Sequence, residues 1–166
     1  MKKNLLHIGL KLVLATAMTR IKYNKYRGWA LPEAEKNIAN DAGFLVEYIN
    51  GGESNHPDHN GYISWSPKSV FDNSYKTSGE MSFGMAIEAA KRGYKIGRVG
   101  WNGSGMFAYI VPANSYPAQT EMIKGTFEND MIPYREYWAL KTAQNDIAMW
   151  APSGSDSLSN DWVIVE

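Results

Sequence analysis

The chain has no cysteine among its 166 residues. It therefore has no disulfide, no thiol nucleophile and no thiolate metal site, and it fits either redox compartment. It also lacks any apolar run near the ~20 residues that a membrane-spanning helix requires, so a membrane-free, intracellular location is expected. Neither sign of charge is in excess: 17 Lys plus Arg balance 17 Asp plus Glu. No global basic field is available to hold duplex nucleic acid. Catalytic signatures are equally scarce. There is no phosphate-binding glycine loop ending in Lys-Ser/Thr, no nucleophile elbow and no His-Glu-x-x-His. The remainder, 44% apolar and 20% charged, is the composition of a globular protein of one domain or two small ones.

Charge is nevertheless distributed unevenly. Residues 1–78 carry ten basic against seven acidic groups and residues 79–166 carry seven against ten, and the polar segment Lys76-Thr-Ser-Gly79 lies between them. An amino-terminal module of residues 1–78 and a second module of residues 79–166 are expected. The first 27 residues hold seven Lys or Arg and no acid, ending in a strip from Met18 to Arg27 where basic and aromatic groups interleave. Such a strip suits phosphate or an acidic partner surface, or is simply a solvated face. The opening segment Met1–Ala17 has the basic start and Ala-Thr-Ala ending of a secretory leader, but His7 and Lys11 interrupt its apolar stretch. Read with period two, Leu10, Leu12 and Leu14 form one face of a half-buried strand, and no cleaved leader is expected.

The elements follow from pattern and punctuation. A turn-rich loop after Tyr48 leads into a strand at Tyr62–Pro67, and Ser66-Pro67 reads as the entry of a helix through Tyr75. Met81–Gly93 predicts the clearest helix, with Ser82 as cap, Glu88 four residues before Arg92, and Gly93 as the left-handed stop. Strands are expected at 94–99, 106–111, 137–142, 146–150 and 161–165, with a hairpin turn at 143–145 and a capped helical turn from Ser153. The fold class is α+β: a small antiparallel sheet packed on one main helix in residues 80–166, preceded by a second small α+β module. Pro112, Pro117, Gly125 and Pro133 mark the stretch 109–137 as an enlarged loop.

Candidate chemistry is sparse. His56 and His59 flank Pro57-Asp58 and offer three donors to a metal or one acid/base group. No third distant ligand is visible, so a structured turn is the simpler account and no metal is expected. Ser153, Asp156 and His7 or His59 have no triad spacing. The aromatic content is more informative, because four of the six Trp (Trp101, Trp138, Trp150 and Trp162) lie in the acidic half. A flat aromatic beside short polar groups suits a purine-and-ribose ligand, since stacking contributes ~1–3 kcal/mol per base. Trp101-Asn102-Gly103, in the glycine-rich stretch 100–105, supplies that combination, with Trp101 expected to be exposed. Trp138 and Trp162 read as core. Arg98 and Lys141 lie in strands where either can answer a pyrophosphate or be an ordinary exposed sheet residue.

Met81-Ser-Phe-Gly, Arg98-Val-Gly-Trp-Asn-Gly-Ser-Gly-Met106, Leu140-Lys-Thr-Ala, Trp150-Ala-Pro-Ser153 and Asn160-Asp-Trp162 together resemble a small phage domain, the second Thoeris anti-defence family. The resemblance covers about residues 80–166. It implies a non-catalytic sponge without a cofactor, acting in the cytoplasm of an infected bacterium. Such a protein holds the cyclic ADP-ribose signals made by TIR-domain defence proteins, glycocyclic ADP-ribose included, and some members also take up cyclic dinucleotides. It further implies a symmetric homo-oligomer, a dimer of dimers, with pockets shared between subunits. Transferred by motif, Trp101 is the stacking aromatic and Asn102 accompanies it. Phe83, Ser153 and Asp156 are further pocket members, and Gly103 and Trp150 fall in the same motifs. The long 109–137 stretch departs from the common pattern. Met18-Thr-Arg, Tyr26-Arg-Gly-Trp29, Gly43–Tyr48 and Gly61–Pro67 resemble a module of phage proteins with no assigned activity. Two rivals stand beside the sponge: an enzyme that degrades the same signals through His56, Asp58 and His59, and a protein-interaction module built on the basic–aromatic first half.

Overall fold

The computed structural model describes residues 9–166; His7 and the basic start of the leader-like segment lie outside the described residues. The chain divides into two compact units, one ending at Lys76 and the other running from Thr77 to Glu166.

In the first unit, strands β1 (Val13–Ala17), β2 (Gly43–Tyr48) and β3 (Tyr62–Pro67) form an antiparallel sheet with β2 in the centre. Helices α1 (Arg20–Tyr26) and α2 (Lys68–Ser74) complete the unit. Leu45 pairs with Trp65 and Glu47 with Ile63, so these four side chains share one face, where Tyr23 of α1 is buried with Leu45 and Ile63. Phe44 and Val46 point the other way, and Phe44 stacks on Phe71 of α2 at 4.2 Å. The central strand is thus covered by a helix on each side, which explains its near-continuous apolar run.

Two expectations are corrected here. The strand expected on Leu10, Leu12 and Leu14 begins at Val13, and Leu14 is 59% exposed. As an edge strand β1 contributes its backbone to the ladder and leaves Leu14 outside the core. At α2, Pro67 rather than Ser66 occupies the cap position, because β3 runs through Pro67, opposite Gly43, and the helix begins directly after it at Lys68.

The second unit contains helix α3 (Phe83–Lys91), strands β4 (Lys95–Arg98) and β5 (Phe107–Val111), a ribbon of β6 (Asn114–Pro117) and β7 (Met131–Tyr134), then β8 (Tyr137–Lys141), β9 (Ile147–Met149), helix α4 (Gly154–Leu158) and β10 (Trp162–Val165). Five of the strands form an antiparallel sheet in the order β10-β4-β5-β8-β9. Mixed α and β structure with antiparallel sheets is the fold class read from the sequence. Helix α3 starts where the Ser82 hydroxyl accepts the Met85 amide, and the chain leaves it through Gly93 at φ +91. Arg92 pairs with Glu88 at 3.6 Å. The helix sets Ala86, Ala89 and Ala90 against Ile96, Ala108 and Trp162; these small side chains let its backbone lie close to the sheet. The 109–137 stretch is not an irregular loop. Its β6–β7 ribbon runs in register from Asn114 opposite Tyr134 to Pro117 opposite Met131; both strands are edges, which is where proline is tolerated.

Trp162 is fully buried and its indole N–H donates to the Asp156 carbonyl at 3.1 Å. Trp162→Ala is expected to cost about 3–5 kcal/mol, measured by denaturant unfolding of the full chain followed by circular dichroism.

Candidate functional site

The loop between β4 and β5 is held by its glycines. The Gly100 amide donates to Asp161 Oδ2 at 2.9 Å, and a Cβ on Gly100 would stand 2.9 Å from that same oxygen. At Gly103 a Cβ would fall 2.2 Å from Met106 Sδ and 2.9 Å from the Ala143 side chain, so the loop seats there only without a side chain. Gly105 has φ +68, and its carbonyl accepts the Lys141 ammonium at 3.2 Å. Between these fixed points stand Trp101 and the exposed Asn102.

Trp101 is half-buried rather than free. Its ring meets Trp150 edge to face at 5.9 Å and Trp162 at 5.6 Å. Trp150 in turn meets Trp138 at 5.8 Å and Phe83 at 6.5 Å, and Phe83 lies 4.9 Å from Trp162. These five rings form a continuous cluster with Trp101 at its loop end; all of these contacts but the tilted Phe83–Trp162 pair have the edge-to-face geometry aromatic pairs prefer.

Asp156 anchors the polar side. The Ser153 hydroxyl accepts the Asp156 amide at 3.0 Å, while Asp156 Oδ2 accepts the Ser153 amide at 3.0 Å and its hydroxyl at 2.7 Å, a capping box that starts α4. Asp156 Oδ1 accepts Arg98 Nη1 at 2.7 Å and the Trp101 indole N–H at 3.2 Å. Burial pushes this carboxyl up, but the donors from Ser153, Arg98 and Trp101 outweigh it and hold it down at about 2. Arg98 also gives Nε to Asp161 Oδ1 at 2.8 Å. That bond, with the Gly100 amide, lowers the Asp161 carboxyl against a smaller opposing push from burial. Arg98 itself is raised by Asp161 and then by Asp156.

Of the residues singled out from sequence, Phe83, Arg98, Trp101, Trp150, Ser153 and Asp156 share this network, and Asn102 adjoins it along the chain. Gly103 and Lys141 sit at the far end of the loop. The Arg98 guanidinium is engaged by two carboxylates, so it holds the frame together. Asp161 went unnoticed as a partner of Arg98, although it lies in the Asn160-Asp-Trp162 motif; nothing in local spacing links positions 98 and 161. The Ser153 hydroxyl is bonded to Asp156 and to Ser155, with no histidine among its partners. His59 likewise does not work with Asp58. Its Nδ1 lies 2.8 Å from Glu47 Oε2 and its Nε2 2.9 Å from the Tyr26 hydroxyl, and among the described residues no three His, Asp or Glu are grouped to hold a metal. A cleft lined by Tyr94, Lys95, Phe107, Tyr109 and Ile147 elsewhere in the second unit includes none of the residues predicted from sequence.

The family model for the Thoeris anti-defense 2-like domain matches residues 81–165. A protein named Thoeris anti-defense 2, from Bacillus phage SP01, is 36% identical over 86 residues, which is 52% of this chain and 96% of that protein. The family match lies within the second unit.

Acid should loosen this frame first. The Asp156 carboxyl titrates near 2 when folded and near 3.8 otherwise, so the stability it contributes is complete above about pH 4 and is lost as pH falls toward 2. Asp161, lowered in the same direction, adds to that loss. Unfolding between pH 5 and 2, followed by tryptophan fluorescence, should show this slope, and Asp156→Asn should be less stable at pH 7 with a flatter acid limb.

Proposed function

Because the chain belongs to the Thoeris anti-defense 2-like family, we propose that it serves its Thoeris anti-defence role as a non-catalytic sponge for cyclic ADP-ribose-type signals such as glycocyclic ADP-ribose. The observation that carries this reading is the seating of Trp101. Its indole N–H is fixed by Asp156 and its ring is braced by Trp150 and Trp162, while Asn102 beside it is exposed. A braced aromatic loses little freedom when a purine stacks on it, and low ordering cost favours tight capture. Asn102 offers donors and acceptors to ribose, and Lys141 offers a cation to the pyrophosphate.

The same network argues against turnover. Asp156 is ionised, its oxygens accept four donors, and Arg98 is tied to two carboxylates. No group there is placed to give or take a proton during bond cleavage. A sponge must bind tightly and need not be fast.

In this reading the second module, residues 79–166, is the signal-binding domain, and it takes cyclic dinucleotides as further ligands. It assembles as a dimer of dimers in the cytoplasm of the infected host. The side of its sheet facing away from α3 supports the self-association: Val163, Val165, Phe107, Tyr109, Ile147 and Met149 lie on it by strand alternation and register, with Ile147 and Met149 exposed. Among the described residues no helix is long and apolar enough to cross a membrane.

The test is to incubate the purified protein with an extract containing TIR-derived cyclic ADP-ribose, wash it, denature it with heat and identify the released molecule by mass spectrometry. Intact cyclic nucleotide is expected, and a cleaved product would overturn the sponge. Trp101→Ala should weaken capture by about 5- to 150-fold, from the ~1–3 kcal/mol of one stacked base, with the oligomer unchanged by light scattering. Global unfolding of that variant would instead make Trp101 a core residue. The fragment 77–166 should retain full capture, checked by the same release assay.

A further inference from the structure

The first unit holds an arrangement that the anti-defence reading does not use. Glu47, on β2, accepts the Asn60 and Gly61 amides through Oε1 at 3.0 and 2.9 Å and meets His59 Nδ1 through Oε2 at 2.8 Å. Held by these amides and His59, the Glu47 carboxyl is lowered from its ordinary value and remains an acceptor. As an acceptor 2.8 Å from Nδ1 it takes the His59 Nδ1–H, which turns the Nε2 lone pair toward Tyr26. Nε2 lies 2.9 Å from the Tyr26 hydroxyl at the end of α1. The Tyr26 ring is itself fixed, stacked on His56 at 4.5 Å. Asn55 clamps the loop that carries both histidines by exchanging hydrogen bonds with the Ile63 backbone at 2.9 and 2.8 Å.

Carboxylate, imidazole and hydroxyl in series at 2.8 and 2.9 Å is the geometry by which a hydroxyl is made nucleophilic. We propose that Tyr26 is such a hydroxyl and that the first unit carries a site for phosphoryl transfer from phosphate esters. The substrate class follows from charge. Helix α1 contains Arg20, Lys22 and Lys25 and no acid, with Arg27 directly after it. Lys22 precedes Tyr26 by one turn and so shares its face. Arg20 is paired with Glu35 and Arg27 lies over the Trp29 ring at 4.3 Å, but Lys22 and Lys25 are exposed with no carboxylate partner among the described residues, so an anionic substrate is favoured where Tyr26 emerges. In the reaction the Tyr26 oxygen bonds to phosphorus and its proton passes to His59 Nε2. The bond from phosphorus to the leaving oxygen breaks, and that oxygen takes the proton from the imidazolium. Water, giving its proton to the same nitrogen, then bonds to phosphorus; the bond from phosphorus to the Tyr26 oxygen breaks, that oxygen takes the proton back from the imidazolium, and phosphate leaves, or a phosphate monoester where the substrate is a diester. Glu47 is the positioning residue.

The test uses the full chain and an aryl sulfonyl fluoride, on which an activated phenol displaces fluoride to leave a stable sulfonate ester, read by peptide mass spectrometry. Tyr26 is 37% exposed, against 45% for Tyr62 and 42% for Tyr116, so exposure alone predicts no advantage. Labelling of Tyr26 at least tenfold faster than Tyr62 and Tyr116 is expected, falling to their rate in His59→Gln and slowing in Glu47→Gln. Equal rates in the unmodified protein would overturn the proposal without recourse to any variant. With bis(4-nitrophenyl) phosphate, release of 4-nitrophenol that is lost in Tyr26→Phe, which keeps the ring on His56, supports the substrate class. No release despite fast labelling would overturn the assignment to phosphate esters. Neither result bears on capture by residues 77–166, which is read separately by ligand release.

Discussion

One buried carboxylate organises the second unit. Asp156 starts α4 through its box with Ser153, secures Arg98 on β4, fixes the Trp101 indole in the loop, and through its own carbonyl takes the Trp162 indole from the core. Two stretches more than 50 positions apart, 98–101 and 153–162, thus converge on one residue. A buried charge is tolerable only when every lone pair is met, and here a cation, an indole, an amide and a hydroxyl meet it. The arrangement rigidifies because no member can move without leaving a desolvated charge behind.

The elements with strong local signals were legible: the Ser82 cap and Gly93 stop of α3, the turn at 143–145, and the capping box at Ser153. Each is decided within a few residues. What could not be read were partnerships across the sheet. Arg98 stood as a free cation in sequence and is bound to Asp161, 63 positions on; His59 stood beside Asp58 and is bound to Glu47 and Tyr26. Chain spacing carries no trace of such pairs, because they depend on strand order and register. Leu14 failed for a related reason, since alternation identifies a strand but does not say whether it lies at the edge of its sheet. The motif resemblance, in contrast, reached the family directly, and the aromatic cluster around Trp101 explains why its scattered motifs belong together: Phe83, Trp101, Trp150 and Trp162 come from four of them and touch in space.

The two units place their polar groups in contrasting states. Around Trp101 one guanidinium is shared by two carboxylates and every donor and acceptor of Asp156 is paired, beside an aromatic face. Around Tyr26 the series of hydrogen bonds ends on a surface hydroxyl, so the proton acceptor behind it has a group to act on. Rigidity serves both, through saturated pairing in one and directed pairing in the other.

The glycines of the 100–105 loop set the terms on which this family domain can change. Position 100 must admit the Asp161 oxygen, position 103 lies against Met106 and Ala143, and position 105 needs a left-handed backbone. With Trp101 braced from behind, variation in the loop is channelled to Asn102 and Ser104, both exposed. Those two side chains can vary without rebuilding the domain, so the routes by which the loop's surface can change are few and its scaffold is slow to drift.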